Sequence, residues 1–369
     1  MSLLLAWLGV LAAGPVPAAG GPVIEGNDAV ASPTYLYVAN QSAASVSVID
    51  MSTDRVVRTI DLTALGFTTD ARPHHVAVEP DGSFLYVSLI GDGAVIKLTP
   101  AGELRGTVEF ETPGMLALDP HSDRLWVGRS MMAVSPPQRI GLIDRDDMSI
   151  DEVGVFLDRP HALALSNDGS LVYVGSLAEN RFAVLSPEQE GIELRSVEGP
   201  PQVLVQFAVS PDGRWLAVGG EVSGKMLVFD LAYPENPRLV ESIDVAPMPW
   251  HPVFSPDGAR LYFGNQGANV VTVVRTSDWT VEKVIANSGF AEPHGIAISA
   301  DGSKLYVGNR NVKGSSTGGM DHPAMGGDAG GGDDRTGRVV VIDTGRLEVT
   351  GTIDVGRYAA GMGTATPVR

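Results

Sequence analysis

The chain contains no cysteine. Disulfides, thiolate metal sites and cysteine nucleophiles are thereby excluded. Charge is sparse, at 19% of the 369 residues, and basic charge is scarcest: 26 Lys and Arg stand against 44 Asp and Glu, a formal net charge of −18. A general nucleic-acid binder must neutralise phosphates with Lys and Arg, so that class is disfavoured. An anionic membrane surface repels such a chain for the same reason. No segment approaches the ~18 consecutive apolar residues of a transmembrane helix. The Ala/Glu/Lys/Leu/Arg-dominated composition of a coiled coil is also missing.

Glycine (44) and proline (25) are abundant, and 44% of the residues are hydrophobic. That apolar content can bury a core, which excludes wholesale disorder. Many short strands separated by Gly/Pro turns suit this profile.

Residues 3–13 (LLLAWLGVLAA) form an isolated apolar run. It is too short to span a bilayer, which takes ~20 residues. The small-residue stretch Val16-Pro17-Ala18-Ala19-Gly20 follows, as at a signal-peptidase site, although no Lys or Arg precedes the run. The expectation is a signal peptide over 1–20, a linker over 21–32 and a periplasmic or secreted protein. A buried N-terminal strand or helix is the alternative.

A repeat occupies the rest of the chain. Tight turns recur at Pro80-Asp81-Gly82, Asn167-Asp168-Gly169, Pro211-Asp212-Gly213, Pro256-Asp257-Gly258 and Ala300-Asp301-Gly302, with a degenerate copy at Pro120-His121-Ser122. The spacings in chain order are 40, 47, 44, 45 and 44 residues. Asp-Gly tolerates positive φ and suits strand reversal. Apolar runs flank each turn, for example VAV (76–78) and FLYV (84–87), or IAI (296–298) and KLYV (304–307). A third strand follows, such as VSVID (46–50) or RVVVID (338–343), then a more polar fourth, such as VVRTIDL (56–62). Seven four-stranded units stacked radially bury faces that one unit cannot. The pattern therefore predicts an all-β fold, a seven-bladed β-propeller over residues 33–365 with a tail at 366–369. The first unit lacks its inner strand, and Ala359-Ala360-Gly361-Met362-Gly363 is expected to supply it, closing blade 1.

The strands YVAN (37–40), YVSL (86–89), YVGS (173–176) and YVGN (306–309), with their following VID-type strands, resemble the YVTN-type propeller repeat. The resemblance implies the same fold and the extracytoplasmic or surface setting of that family. It says little of function, since propellers host binding modules, lyases, lactonases and metalloenzymes.

Topology places the start of every inner strand on one face, around the central channel. His74 and His75, His161, His251 and His294 stand at those starts. His74, His161 and His294 share one repeat position, in blades 2, 4 and 7. His251 aligns with His75, leaving Trp250 at the ring position. Gly114 and Val205 fill it in blades 3 and 5, so the ring is incomplete. Converging imidazoles suit Zn, Cu, Fe or Ni. The plainer reading is a set of structural, hydrogen-bonded rings. His121 replaces Asp in its turn and reads as solvated.

On the same face, residues 310–337 form a 28-residue connection with nine glycines, where blade 1 uses five residues. It carries Met320, His322 and Met325, in a segment resembling the Met-Asp-His-x-x-Met stretches of bacterial copper-handling proteins. Thioether and imidazole donors favour copper. Met131, Met132 and Met248 lie nearby in the repeat. A Gly/Asp calcium loop over 328–334 is the rival, without the regular repetition such loops show. A solvated, ligand-free linker is the plainer reading.

The expected metal set is thus His74, His161, His251, His294, Met320, His322 and Met325, with copper foremost and no catalytic residues. Two alternatives stand. One is a protein–protein or surface scaffold without metal. The other is a lactonase- or lyase-like propeller, to which the segment 251–265 has some likeness and for which His294 with Glu292, or His161 with Asp158, would form an acid/base pair. Gln266 stands where lactonase-type propellers usually show Glu. Propeller copper enzymes such as nitrous-oxide reductase use more His and a second copper domain.

Overall fold

A computed structural model of the protein describes residues 34–187, 191–311 and 336–365. The expected leader and linker, the Met320, His322 and Met325 set, the 328–334 segment and the tail lie outside the described residues.

Among the described residues, 28 strands form seven four-stranded antiparallel sheets. Blade 1 contains β1 (Tyr35–Asn40), β2 (Ser45–Asp50) and β3 (Arg55–Asp61). Blade 2 runs β4 (Pro73–Val78), β5 (Leu85–Leu89), β6 (Ala94–Leu98) and β7 (Leu104–Glu109). Blade 3 is β8 (Pro113–Leu118), β9 (Arg124–Arg129), β10 (Arg139–Asp144) and β11 (Ile150–Gly154). Blade 4 is β12 (Pro160–Leu165), β13 (Val172–Ser176), β14 (Arg181–Leu185) and β15 (Ile192–Ser196). Blade 5 is β16 (Leu204–Val209), β17 (Trp215–Gly220), β18 (Lys225–Asp230) and β19 (Arg238–Asp244). Blade 6 is β20 (Val253–Phe254), β21 (Arg260–Asn265), β22 (Val270–Arg275) and β23 (Thr280–Ala286). Blade 7 is β24 (Pro293–Ile298), β25 (Lys304–Asn309), β26 (Gly337–Asp343) and β27 (Glu348–Val355). Strand β28 (Ala359–Thr364) pairs with β1, from Leu36 with Thr364 to Asn40 with Ala359, and completes blade 1.

The repeat motifs map directly onto packing. In β5 and β13 every residue is buried, because both faces of the middle strands meet a neighbouring blade. The outer β19 is almost wholly exposed and carries Arg238, Glu241 and Asp244, which blunts the sheet edge. The tyrosines of the Tyr-Val strands reach polar partners as well as the core. Tyr306 donates to Asp54 Oδ1 (2.7 Å), and Lys304 Nζ reaches Asp54 Oδ2 (2.8 Å), which joins blade 7 to blade 1. Tyr86 donates to Glu79 (2.7 Å), whose other oxygen takes Arg145 of blade 3 (2.5 Å). In the Asp-Gly turns the glycines hold φ of 71° to 73°. Ser166, Ser255 and Ser299 each donate to the turn aspartate at 2.6 Å. These are local reasons for the regular spacing.

Blade 6 departs from the expected pattern. Its inner strand pairs only at Val253 and Phe254, with a separate bridge between Pro249 and Asn265. Pro249 and Pro252 flank Trp250-His251 and lack the amide that a longer ladder needs.

Candidate functional site

Each inner strand begins with the same backbone device. The residue two before the ring position is left-handed in all seven blades: Tyr358, Arg72, Thr112, Arg159, Val203, Met248 and Glu292, with φ between 47° and 60°. This conformation is unfavourable for side chains with a Cβ, most of all for branched Thr and Val. It persists because each carbonyl is clamped. The amides of Gln41, Ile90, Ser130, Leu177, Glu221, Gln266 and Arg310, each just past a second strand, donate to those seven oxygens at 2.8 to 3.2 Å. The register then slips within the bulges Pro73/Val76, Pro113/Leu116, Pro160/Ala162, Leu204/Phe207 and Pro293/Ile296. A bulge releases its residues from the ladder and re-aims them. The ring residues sit inside these bulges.

The imidazoles meet. The His74 ring centre lies 6.2 Å from that of His161 and 5.9 Å from that of His294. Blades 2, 4 and 7 are not neighbours, so these contacts can form only at the axis. His251 lies 5.0 Å from His294 and 5.7 Å from Trp250, and Trp250 lies 4.5 Å from His294. All four histidines are buried, His161 to 1% exposure.

Two rings are oriented from behind. His161 Nδ1 donates to the Arg129 carbonyl (2.7 Å), and His74 Nδ1 donates to Gln41 Oε1 (3.1 Å). Each therefore presents Nε2 as a lone pair, the arrangement by which outer partners fix a metal-binding tautomer. His74 Nε2, His251 Nε2 and His294 Nδ1 are buried without a hydrogen-bond partner among the described residues. As the rings stand, no three His, Asp or Glu side chains among the described residues are set to hold an ion. Three of the ring-to-ring distances can be set against what one ion needs. A ring centre lies ~3.2 Å from an ion bound at ~2.0–2.1 Å, so tetrahedral imidazoles stand ~5 Å apart, centre to centre. The His251–His294 pair matches this, and the pairs through His74 exceed it by about an ångström.

The cluster is neutral. Burial, reinforced by the neighbouring histidines, lowers the pKa of His74, His251 and His294 well below the usual imidazole range. Burial holds His75 and His161 at about 4. Uncharged imidazole is the form that binds metal.

The structure adds residues that were not singled out as ligands or anchors. Arg310 stacks over the Tyr358 ring (4.5 Å), and its Nε is 3.9 Å from Glu292 Oε2. Gln41 anchors His74, and Trp250 packs on His294. Their signal in the sequence is faint: Gln41, Gln266 and Arg310 each follow the second-strand Asn at 40, 265 or 309.

Several expectations receive corrections in detail. His75 turns away from the His74 group, and its Nδ1 accepts the Leu116 amide of blade 3 (3.3 Å). His121 is exposed yet bonded, its Nε2 to the Asn167 carbonyl (2.9 Å). Neither suggested acid/base pair forms. Asp158 accepts from Gln138 (2.6 Å) while His161 is held by Arg129, and His294 Nδ1 has no partner although Glu292 is two residues away. Met132 Sδ lies 3.9 Å from Arg72 Nη1. Two open clefts, of about 710 and 770 Å³, lie at the Asp-Gly turns of blades 5 to 7 and include none of these histidines.

The fold and the buried polar mouth define the class: a seven-bladed β-propeller with a histidine cluster on its axis. Among solved structures, a functionally unknown protein from Desulfotomaculum acetoxidans is similar at 13% identity and a TM-score of 0.68, covering 90% of this chain and 99% of that one. A candidate 6-phosphogluconolactonase from Bacteroides uniformis is similar at 15% identity and a TM-score of 0.66, covering 90% and 100%. Kuenenia stuttgartiensis hydrazine synthase is similar at 19% identity and a TM-score of 0.61, covering 78% and 88%. At these identities the likeness concerns the fold alone. No family model and no curated protein matches the sequence.

Proposed function

We propose that this is an exported, non-enzymatic propeller of the YVTN repeat type that binds a transition metal, copper foremost, at the axial mouth. The observation that carries the reading is the gathering of His74, His161, His251 and His294 from four blades, with buried ring nitrogens left without partners. Unpaired buried polar atoms are costly and are rare without a ligand or water to satisfy them. Neutral imidazoles need lose no proton to bind an ion. In a thiolate-free nitrogen site the divalent series peaks at copper. Met320, His322 and Met325 would add soft donors from the 310–337 connection.

Calorimetric titration of untagged protein with Cu(II) and Zn(II) tests the reading. Copper is expected to bind at micromolar or tighter affinity and more tightly than zinc. The His74→Ala/His161→Ala/His294→Ala variant should lose that binding, and deletion of residues 314–335 should weaken it. Millimolar binding, or binding unchanged in the triple variant, overturns the metal reading. A metal-silent protein that co-purifies with a partner would instead be a scaffold propeller.

A further inference from the structure

Among the described residues, Trp126 and Trp250 are buried, while Trp215 and Trp279 are only partly so. The latter two meet edge to face, with ring centres 5.3 Å apart and planes at 85°. Both rest on the core of blades 5 and 6 and leave part of each ring outside it. Trp215 opens β17. Trp279 holds the left-handed position in the turn between β22 and β23, with φ of 54°. The equivalent residues of blades 3 and 7, Met148 and Leu347, share that conformation but are buried to 7% and 6% exposure. A bulky residue is unfavourable in this region, and such strain marks a position worth explaining by function.

The two tryptophans line one open cleft of about 710 Å³ at the Asp-Gly turns of blades 5 and 6. Pro211 and Pro256 add rigid apolar surface to it, and Asp212, Asp257 and Arg214 add charge of both signs. The Arg214 guanidinium lies over the Trp215 ring (4.5 Å). Turn bonds occupy Oδ1 of each aspartate. Asp212 accepts from the Arg214 amide (3.1 Å), and Asp257 accepts from Ser255 Oγ (2.6 Å) and the Ala259 amide (3.0 Å). The second oxygen of each takes no hydrogen bond among the described residues. A second cleft, of about 770 Å³, is also lined by Pro256 and Asp257, so the two adjoin at that turn and continue towards blade 7.

This lining discriminates between ligand classes. An apolar ligand would strip water from two carboxylates and give nothing back. An anion would meet both aspartates. A cation would meet Arg214, which already takes the cation's place on Trp215. A proline-rich peptide suits an aromatic groove, but its prolines offer only carbonyl acceptors and leave the aspartates without donors. A sugar ring has C–H faces for an aromatic surface, and its hydroxyls can donate to aspartate and accept from arginine at once. Equatorial hydroxyls keep those faces flat and apolar. The joined clefts suit several sugar units in a row.

We propose that this cleft binds a neutral oligosaccharide with equatorial hydroxyls, one sugar face on Trp279 and its hydroxyls shared among Asp212, Asp257 and Arg214. The proposal is independent of any metal at the histidines.

The test is calorimetric titration of the full chain with cellohexaose and xylohexaose, whose ring hydroxyls are equatorial. Tetramethylammonium and decaproline serve as comparators. At least one of the two glycans is expected to bind saturably with a dissociation constant below about 1 mM, and neither comparator is expected to bind in that range. Trp279→Ala removes the platform and should weaken the glycan about fivefold or more. Asp257→Asn keeps an oxygen for the turn bonds and removes the charge; it should weaken the glycan about threefold or more. Thermal melting checks that each variant folds, and the comparison of glycans with comparators on the unaltered chain decides the matter if one does not. No saturable binding of either glycan, binding of a comparator as tight as that of the glycans, or unchanged binding in both folded variants overturns the proposal.

Discussion

Acidification should unfold the metal-free protein in a range where most domains are near their best. The His161 pKa is lowered to about 4 in the fold, chiefly by burial, against about 6.5 for an ordinary histidine. Above pH 6.5 neither the folded nor the unfolded chain protonates it, and the favourable state is fully present. As pH falls from 6.5 towards 4, the unfolded chain takes up a proton that the fold refuses, and stability drops. One such group loses about 2 kcal/mol by pH 5 and about 3 kcal/mol once pH falls below 4. His75 is lowered to the same value, and burial lowers His74, His251 and His294 well below the usual imidazole range. Simple addition of His161 and His75 gives about 4 kcal/mol at pH 5, a large share of the whole stability of many domains. Addition is an upper bound for groups in contact, because one ring can swing outward, protonate and spare the rest. Urea unfolding at pH 8, 7, 6 and 5 in the presence of a chelator measures the effect. The expected result is a level midpoint from pH 8 to 7 and a steep fall to pH 5, with an uptake of several protons on unfolding. His161→Asn should reduce that uptake by about one proton. A midpoint unchanged between pH 7 and pH 5 would refute the burial argument.

Other perturbations probe the frame around the mouth. Glu79→Leu strands the buried Arg145 guanidinium, and urea unfolding should show a loss of about 3 kcal/mol or more. Gly361→Val places a Cβ 2.5 Å from the His74 carbonyl, so the closing strand must shift; a loss of about 1–3 kcal/mol is expected in the same assay. Gln41→Leu removes the anchor of His74 Nδ1, and calorimetry should show copper binding weakened about tenfold with the fold retained. Asp54→Ala cuts the Tyr306 and Lys304 contacts that join blade 7 to blade 1, and thermal melting should report a loss of about 1–2 kcal/mol.

Blade number and strand order were legible because Asp-Gly turns and Tyr-Val strands each have a local cause, a positive φ at one glycine and burial on both faces of the second strand. Aligning the repeats also brought His74, His161 and His294 to one rim. The left-handed residue ahead of each inner strand was not legible. It is Tyr, Arg, Thr, Arg, Val, Met or Glu, with no common chemistry, because the carbonyl clamp from the neighbouring strand imposes it. For the same reason the alignment, which put His74 rather than His75 at the ring position, could not show that its side chain turns to the axis. The bulge geometry decides that. The Arg310–Glu292–Tyr358 group was equally hidden, since its members come together only when β28 closes blade 1.

That closure also sets the protein's bearing. Strand β1 begins, and β28 ends, at the rim that carries the Asp-Gly turns, where Gly82 and Ala365 come close together. A tether attached through either flank of the ring would hold it by this underside. The histidine side would then point away from the point of attachment.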